Sequence, residues 1–256
     1  MESFRLLAPY LEDPNLRTEA ASAVVQIAPA LAKGVDAGAL KTALEKIAAS
    51  VTNTDLRDRA LQVATTIPAP VAWVSLFDGQ SLGGWEGDTN VWRVRDGVIV
   101  GGSMNGNPRN EFLATVRKYT NFVLRLEYKL IGTEGFVNSG AQFRSVRVSN
   151  PPNEMNGYQA DIGAGYSGCL YDESRRNTFL ARPSEETIKR LEKMGDWNRY
   201  EVRCSERHIQ IWLNGEKTVD YTEPDAAIPQ SGLIGLQIHG GNKAVVSFRN
   251  ITIKEH

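Results

Sequence analysis

Two prolines one residue apart, in the stretch Ile67-Pro68-Ala69-Pro70, constrain this chain more than any other feature. Proline cannot continue a helix, and it pushes the preceding residue towards extended backbone. The stretch reads as an extended linker, and the sequence follows different rules on its two sides. Residues 1–67 are rich in alanine and leucine. Residues 71–256 are rich in glycine, aromatics and alternating apolar and polar positions.

Residues 1–67 predict four helices. Phe4, Leu7 and Leu11 form a helical stripe that ends before Asp13-Pro14. Ala20, Val24, Ile27 and Leu31 share one face of a second helix, with Gly34 as its C-cap. Leu40, Leu44 and Ile47 mark a third, and Thr54 or Asp55 caps a fourth through Leu61 and Val63. Asn15-Leu16-Arg17 is echoed by Asp55-Leu56-Arg57, 40 positions on, a period that suits HEAT-like helix pairs. The segment carries no chemistry of its own. It reads as a helical adaptor for a protein partner, or as a piece of a longer HEAT-type array.

Residues 71–256 predict strands. Asp96-Gly97, Glu206-Arg207 and Asn214-Gly215 are hairpin turns between alternating runs, Asn-Gly being the strongest of the three signals. Phe122, Leu124, Leu126 and Tyr128 alternate with polar residues, and Leu233–Ile238 and Val245–Ile253 close the domain. Many strands, short turns and no βαβ rhythm point to an antiparallel sandwich. One helix interrupts it, with Ser184 as N-cap, Glu185 and Glu186 in the first turn, and Gly195 at its end.

Composition excludes several classes. The chain has 256 residues, 41% apolar and 23% charged, enough for a core without disulfide or metal staples. Its 29 basic and 30 acidic residues leave a net charge of -1, which argues against a nucleic-acid partner. No apolar run is long enough for a transmembrane span. The opening MESFRLLAPYLEDPN lacks the basic start and apolar run expected of a signal peptide. Cys169 and Cys204 lack zinc-site spacing and leave both one disulfide and two free thiols open. No nicotinamide fingerprint follows a strand. No cofactor is therefore expected, and Asp88, Asn90 and Asp172, which lack EF-hand spacing, leave only a divalent cation open.

An ordered set of short blocks then carries a resemblance. Leu76-Phe77-Asp78-Gly79 with Leu82 and Gly84-Trp85 resembles the opening of the bacterial 3-keto-disaccharide hydrolase domain family. Later blocks agree in order: Asn110-Glu111-Phe112-Leu113, Asn138-Ser139-Gly140 with Phe143-Arg144, Gly157-Tyr158-Gln159, Gly168-Cys169-Leu170-Tyr171, Leu213-Asn214-Gly215, Gly235-Leu236-Gln237-Ile238-His239 and Phe248-Arg249-Asn250-Ile251. The resemblance spans about residues 74–254. It implies a concanavalin-like jelly roll, a carbohydrate ligand on the concave face, and export to the periplasm or cell exterior. The chain departs from the pattern where many members resemble Gly-Tyr-Glu-x-Gln. Here Gln159 takes the glutamate position and Asp161 the glutamine position, so that glutamate's role is absent or moved to Asp161. The stretch Tyr171-Asp172-Glu173-Ser174-Arg175-Arg176-Asn177 looks like a subgroup feature.

A ketone at C3 acidifies the sugar's C2 proton. Cleavage then needs a base, donors for the enolate oxygen and an acid near the leaving group, whereas ordinary glycoside hydrolysis needs two opposed carboxylates. His239, at a strand end before Gly240-Gly241, is the first candidate base, imidazole being suited to proton transfer near neutral pH. Asp161, on one strand face with Gln159, is the second, and Glu111 is a candidate acid. Arg144 and Gln142, read as sharing a face, are substrate-binding candidates. So are Gln159, Asn138, Tyr171, Arg175, Gln237 and Trp197, the last as a stacking platform. Each has a plainer reading as a turn, core or ion-paired residue. Three functions stay open: an enzyme cleaving 3-keto-glycosides, a carbohydrate-binding module, and a scaffold that docks a partner through residues 1–67.

Overall fold

In this computed structural model, residues 2–32, 37–67 and 72–256 are described. Gly34 and Pro68–Pro70, the expected C-cap and linker, lie outside them. The chain divides into two compact units, residues 1–72 and 73–255.

The first unit is helical. It comprises α1 (Glu2–Leu7), a 3-10 helix (Ala8–Glu12), α2 (Arg17–Leu31), α3 (Ala37–Ser50) and α4 (Thr54–Thr66). The stripe Phe4, Leu7 and Leu11 is thus split, because Pro9 opens a tighter 3-10 turn after Leu7. Phe4, Leu11, Val24, Leu40, Leu44, Ile47 and Leu56 fill the core. The cap of α4 is Asn53, one residue earlier than expected, and its Oδ1 accepts from Leu56 N at 2.9 Å.

The second unit is a sandwich of two antiparallel sheets. Its strands are β1 (Val74–Ser75), β2 (Trp85–Glu86), β3 (Trp92–Arg95), β4 (Val98–Asn107), β5 (Glu111–Tyr119), β6 (Phe122–Gly135), β7 (Asn138–Arg147), β8 (Met155–Gly163), β9 (Leu170–Glu173), β10 (Thr178–Ala181), β11 (Asn198–Ser205), β12 (His208–Leu213), β13 (Glu216–Thr222), β14 (Gly232–Ile238) and β15 (Asn242–Glu255). The first sheet has the order β13-β12-β11-β6-β15-β4-β3, with β1 on β15; the second runs β10-β9-β8-β7-β14-β5-β2. The three expected hairpins form. Asp96 and Gly97 both take positive φ, as do Asn214 and Gly215, the conformation a two-residue hairpin turn requires.

Strand alternation sorts side chains between core and outer faces. On the second sheet Ala141, Phe143, Tyr158, Ala160, Ile162, Ile234, Leu236 and Ile238 enter the core. Asn138, Gln142, Gln159, Asp161 and Gln237 fall on the opposite face. They are nevertheless buried, so this polar face is roofed rather than washed by solvent. Helix α5 (Glu185–Leu191) starts at Ser184, whose Oγ accepts from Thr187 N at 3.2 Å, and ends at Glu192, before Gly195. Cys169 and Cys204 are buried free thiols.

Candidate active site

Three neighbouring strands put one row of residues in register: Gln237 on β14, Gly140 on β7 and Asp161 on β8. Gly140 matters here because a Cβ would lie 2.2 Å from Gln159 Cδ. Without one, the Gln159 side chain lies across the row. From there Gln159 Nε2 reaches Glu173 Oε2 at 3.3 Å, as does Gln237 Nε2. Asn138 Nδ2 donates to Asp161 Oδ1 at 2.8 Å, and Ile162 N donates to the same oxygen at 2.9 Å.

These groups open on a cavity of about 260 Å³ lined by Phe136, Asn138, Gln159, Asp161, Tyr166, Tyr171, Glu173, Phe179 and His239. One side is polar and titratable. The other is aromatic, with Tyr166 stacked on Phe179 at 5.9 Å and Phe179 edge-on to Tyr171 at 4.9 Å. Larger clefts of about 530 and 590 Å³ elsewhere carry no comparable set of buried acids.

Burial pushes the Asp161 carboxyl up to about 7, against the bonds from Asn138 and Ile162 and with help from the Glu173 charge. Burial, then the nearby Glu154 charge, pushes Glu173 up to about 7 as well. Desolvation disfavours the ionised form, so both sites are poised between acid and carboxylate at neutral pH. Burial raises Tyr171 too, keeping its phenol protonated. His239 Nδ1 lies 2.7 Å from Gly240 O. A carbonyl only accepts, so Nδ1 carries a proton and Nε2 is the ring nitrogen left for a ligand.

The carboxyl shift has a stability consequence. Folded Asp161 binds its proton more tightly than the unfolded chain does, so its contribution is full below the unfolded carboxylate range and is lost as pH rises to about 7. Asp161→Asn is therefore expected to raise stability by on the order of 1–3 kcal/mol at pH 8 and by less at pH 5. Urea unfolding at both pH values checks this; equal effects at both would refute it.

The sequence profile of a family described as a 3-keto-alpha-glucoside-1,2-lyase-like domain matches residues 72–254. The chain belongs to that family. Solved structures agree on the fold. A "putative glycosyl hydrolase" from Parabacteroides distasonis has 25% identity and TM-score 0.54, covering 72% of this chain and 100% of its own. The carbohydrate-binding module CBM66 from Bacillus subtilis has 15% identity and TM-score 0.53, covering 67% and 96%. A Bacillus subtilis protein of unknown function with a galectin-like fold has 10% identity and TM-score 0.52, covering 73% and 96%. No protein of curated function matches the sequence significantly. The 3-keto-glucoside-lyase-like domain is thus a carbohydrate-related jelly-roll sandwich with glycosyl-hydrolase-like and carbohydrate-binding neighbours.

Within this lyase-like domain the structure brings His239, Asp161, Gln159, Asn138 and Tyr171 to one cavity. Gln237 joins them through Glu173, whereas Gln142 turns its Oε1 to Ser145 Oγ at 2.7 Å. Four other candidates lie elsewhere. Glu111 pairs across the sheet with Ile238, a core residue, and its Oε1 accepts from Arg109 at 2.7 Å. Arg144 does not share the face of Gln142, because a register shift between Phe143 and Val146 breaks the alternation. Arg175 is held by Asp172 at 2.9 Å and lies over the ring of Tyr158, a core residue. Trp197 belongs to clefts beside the first sheet, under the Arg249 guanidinium. Conversely, Glu173 enters the cavity without having been singled out. Its signal was position: on a strand beside β8, it pairs in register with Gly157, two residues before Gln159.

Among the described residues no group of three or more His, Cys, Asp and Glu side chains is placed to hold a metal ion. Nor is any helix among them long and apolar enough to cross a membrane.

Proposed function

We propose that this domain cleaves 3-keto-glycosides by taking the proton beside the ketone. The observation that carries the reading is the convergence of His239, Asp161 and Glu173 on one cavity, with His239 Nδ1 engaged by Gly240 O and Nε2 the ring nitrogen left for a ligand. Family membership supports a sugar as the ligand, as does a buried Gln159 Oε1 without a partner among the described residues, which a sugar hydroxyl satisfies.

In this reading His239 Nε2 accepts the C2 proton, and the C2–H electrons pass into the enolate of the C3 ketone. Protonated Glu173 or Tyr171 donates to that enolate oxygen. The enolate collapses to a C1=C2 double bond as the C1–O bond breaks, and protonated Asp161 gives its proton to the leaving oxygen. Water then adds at C1, losing a proton to the Asp161 carboxylate, while the imidazolium returns a proton to C2. The product is the 3-keto sugar, and both groups end as they began. A protonated Asp161 makes turnover fall as pH rises above about 7. A pH profile of kcat/KM checks this, and a rate still climbing at pH 9 would contradict it.

The deciding assay sets 3-keto-glucosides and 3-keto-trehalose beside their unoxidised parents. Release from the keto forms alone is the expected result. Equal release from the parents would instead assign Asp161 and Glu173 to ordinary two-carboxylate hydrolysis. The exposed ring of Phe136 and the stacked Tyr166–Phe179 wall also suit sugar binding without turnover. Retained binding with no release from any substrate would favour that second reading.

A further inference from the structure

The outer face of the first sheet gathers positive charge around a tryptophan. A cleft of about 590 Å³ there brings Arg93, Arg95, Lys129 and Arg249 around Trp197, with Asp96 as the one acid in its wall. The pairing register makes it a groove. Arg93 lies opposite Val100, Val100 opposite Ser247, and Ser247 opposite Lys129. Arg93 and Lys129 are thus three strand spacings apart, about 14 Å, with small uncharged side chains between them.

Two of these four cations have no acidic partner among the described residues. Arg249 Nε does pair with Glu127 at 2.8 Å, and Arg95 lies 3.7 Å from Asp96 across two exposed side chains. Among the described residues Arg93 donates only to the carbonyls of Val91 and Gly102, each at 3.1 Å. Lys129 Nζ has no acidic partner among the described residues and sits 5.1 Å from the Trp197 ring centroid. Trp197 also walls an adjoining cleft of about 370 Å³ that holds Lys193 and Arg199 beside the one acid Glu127. A chain of net charge -1 thus gathers four cations along one groove, Arg93 and Lys129 without an acidic partner among the described residues, on the sheet opposite the candidate active site.

We infer that this groove is a second ligand site, for an acidic polysaccharide. Its length exceeds one sugar ring, so the ligand is a chain and not a free anion. Carboxylates on separated rings pair with Arg93 and Lys129, guanidinium being shaped for a bidentate carboxylate contact. The apolar face of an intervening ring lies against Trp197.

Calorimetry with polygalacturonate, neutral dextran and a single-stranded oligonucleotide, at low and high salt, tests this on the full chain. Polygalacturonate is expected to bind, more weakly as salt rises, and dextran not to bind. Lys129→Ala weakens the affinity, and Arg93→Ala/Lys129→Ala weakens it by about tenfold or more. Circular dichroism verifies folding, and the single variant, which leaves the carbonyl contacts of Arg93 intact, keeps the test valid if the double variant unfolds. Unchanged affinity in folded variants overturns the proposal. So does equal binding of dextran, or an oligonucleotide that binds as tightly as polygalacturonate.

Discussion

His239→Ala is expected to lower release of sugar from a 3-keto-glucoside by about 10²–10⁴-fold, the range for losing a positioned acid–base group. The geometry makes the loss specific. The backbone around His239 is fixed without its ring: His239 N donates to Asn138 O at 3.2 Å, Gly240 N to Asn110 Oδ1 at 2.9 Å, and Asn242 Nδ2 to His239 O at 2.8 Å. Removing a half-buried ring should therefore leave the thermal midpoint within a few degrees, a change of under about 1 kcal/mol. The paired measurement is kcat with Tm. A variant that keeps its Tm and loses turnover, with partial rescue by added imidazole, supports His239 as the base. Turnover within a few-fold of the parent would remove His239 from the mechanism and move the proton transfer to Asp161 or Glu173.

The second large effect concerns folding. Arg144→Ala is expected to destabilise the sandwich by about 3–5 kcal/mol, with no separate effect on substrate affinity in molecules that remain folded. The side chain is 2% exposed. Its Nε and Nη2 donate to Thr120 O at 2.8 and 2.6 Å, and its Nη1 to Glu206 O at 2.6 Å and Gln230 Oε1 at 2.5 Å. Nη2 also donates to Asn121 Oδ1 at 3.2 Å. Truncation strands these acceptors and leaves a cavity. The backbone shows what these bonds outweigh, since Arg144 sits at φ 49°, a conformation costing about 1–2 kcal/mol for a residue with a Cβ. Arg144→Lys should also destabilise, because one ammonium cannot reach a fork of acceptors. Chemical denaturation reads the effect. A stable Arg144→Ala protein with a raised KM would instead return Arg144 to the ligand site.

Much of the fold was legible because its signals are local. Asp96-Gly97 and Asn214-Gly215 specify turns through the φ values those residues tolerate, and each turn sets the register of its own hairpin. Alternation along Phe122–Leu130 sorts core from surface one residue at a time. The same rule placed Gln159 and Asp161 together, since β8 runs unbroken between them. It failed at Arg144, where a bulge breaks the two-residue period and carries the side chain elsewhere.

The sequence by itself determined the class of structure: a helical segment, then an antiparallel sandwich, with a polar face on one set of strands. It also marked His239 and Asp161 as groups able to move protons. Only the tertiary structure decided that they share a cavity with Glu173. That encounter depends on Gly140 yielding space to Gln159, and on β9 joining the edge of β8. Turn chemistry and pleat act between neighbours in the chain. Which carboxyl is buried, and so which is held at the edge of ionisation, depends on strands paired from distant segments.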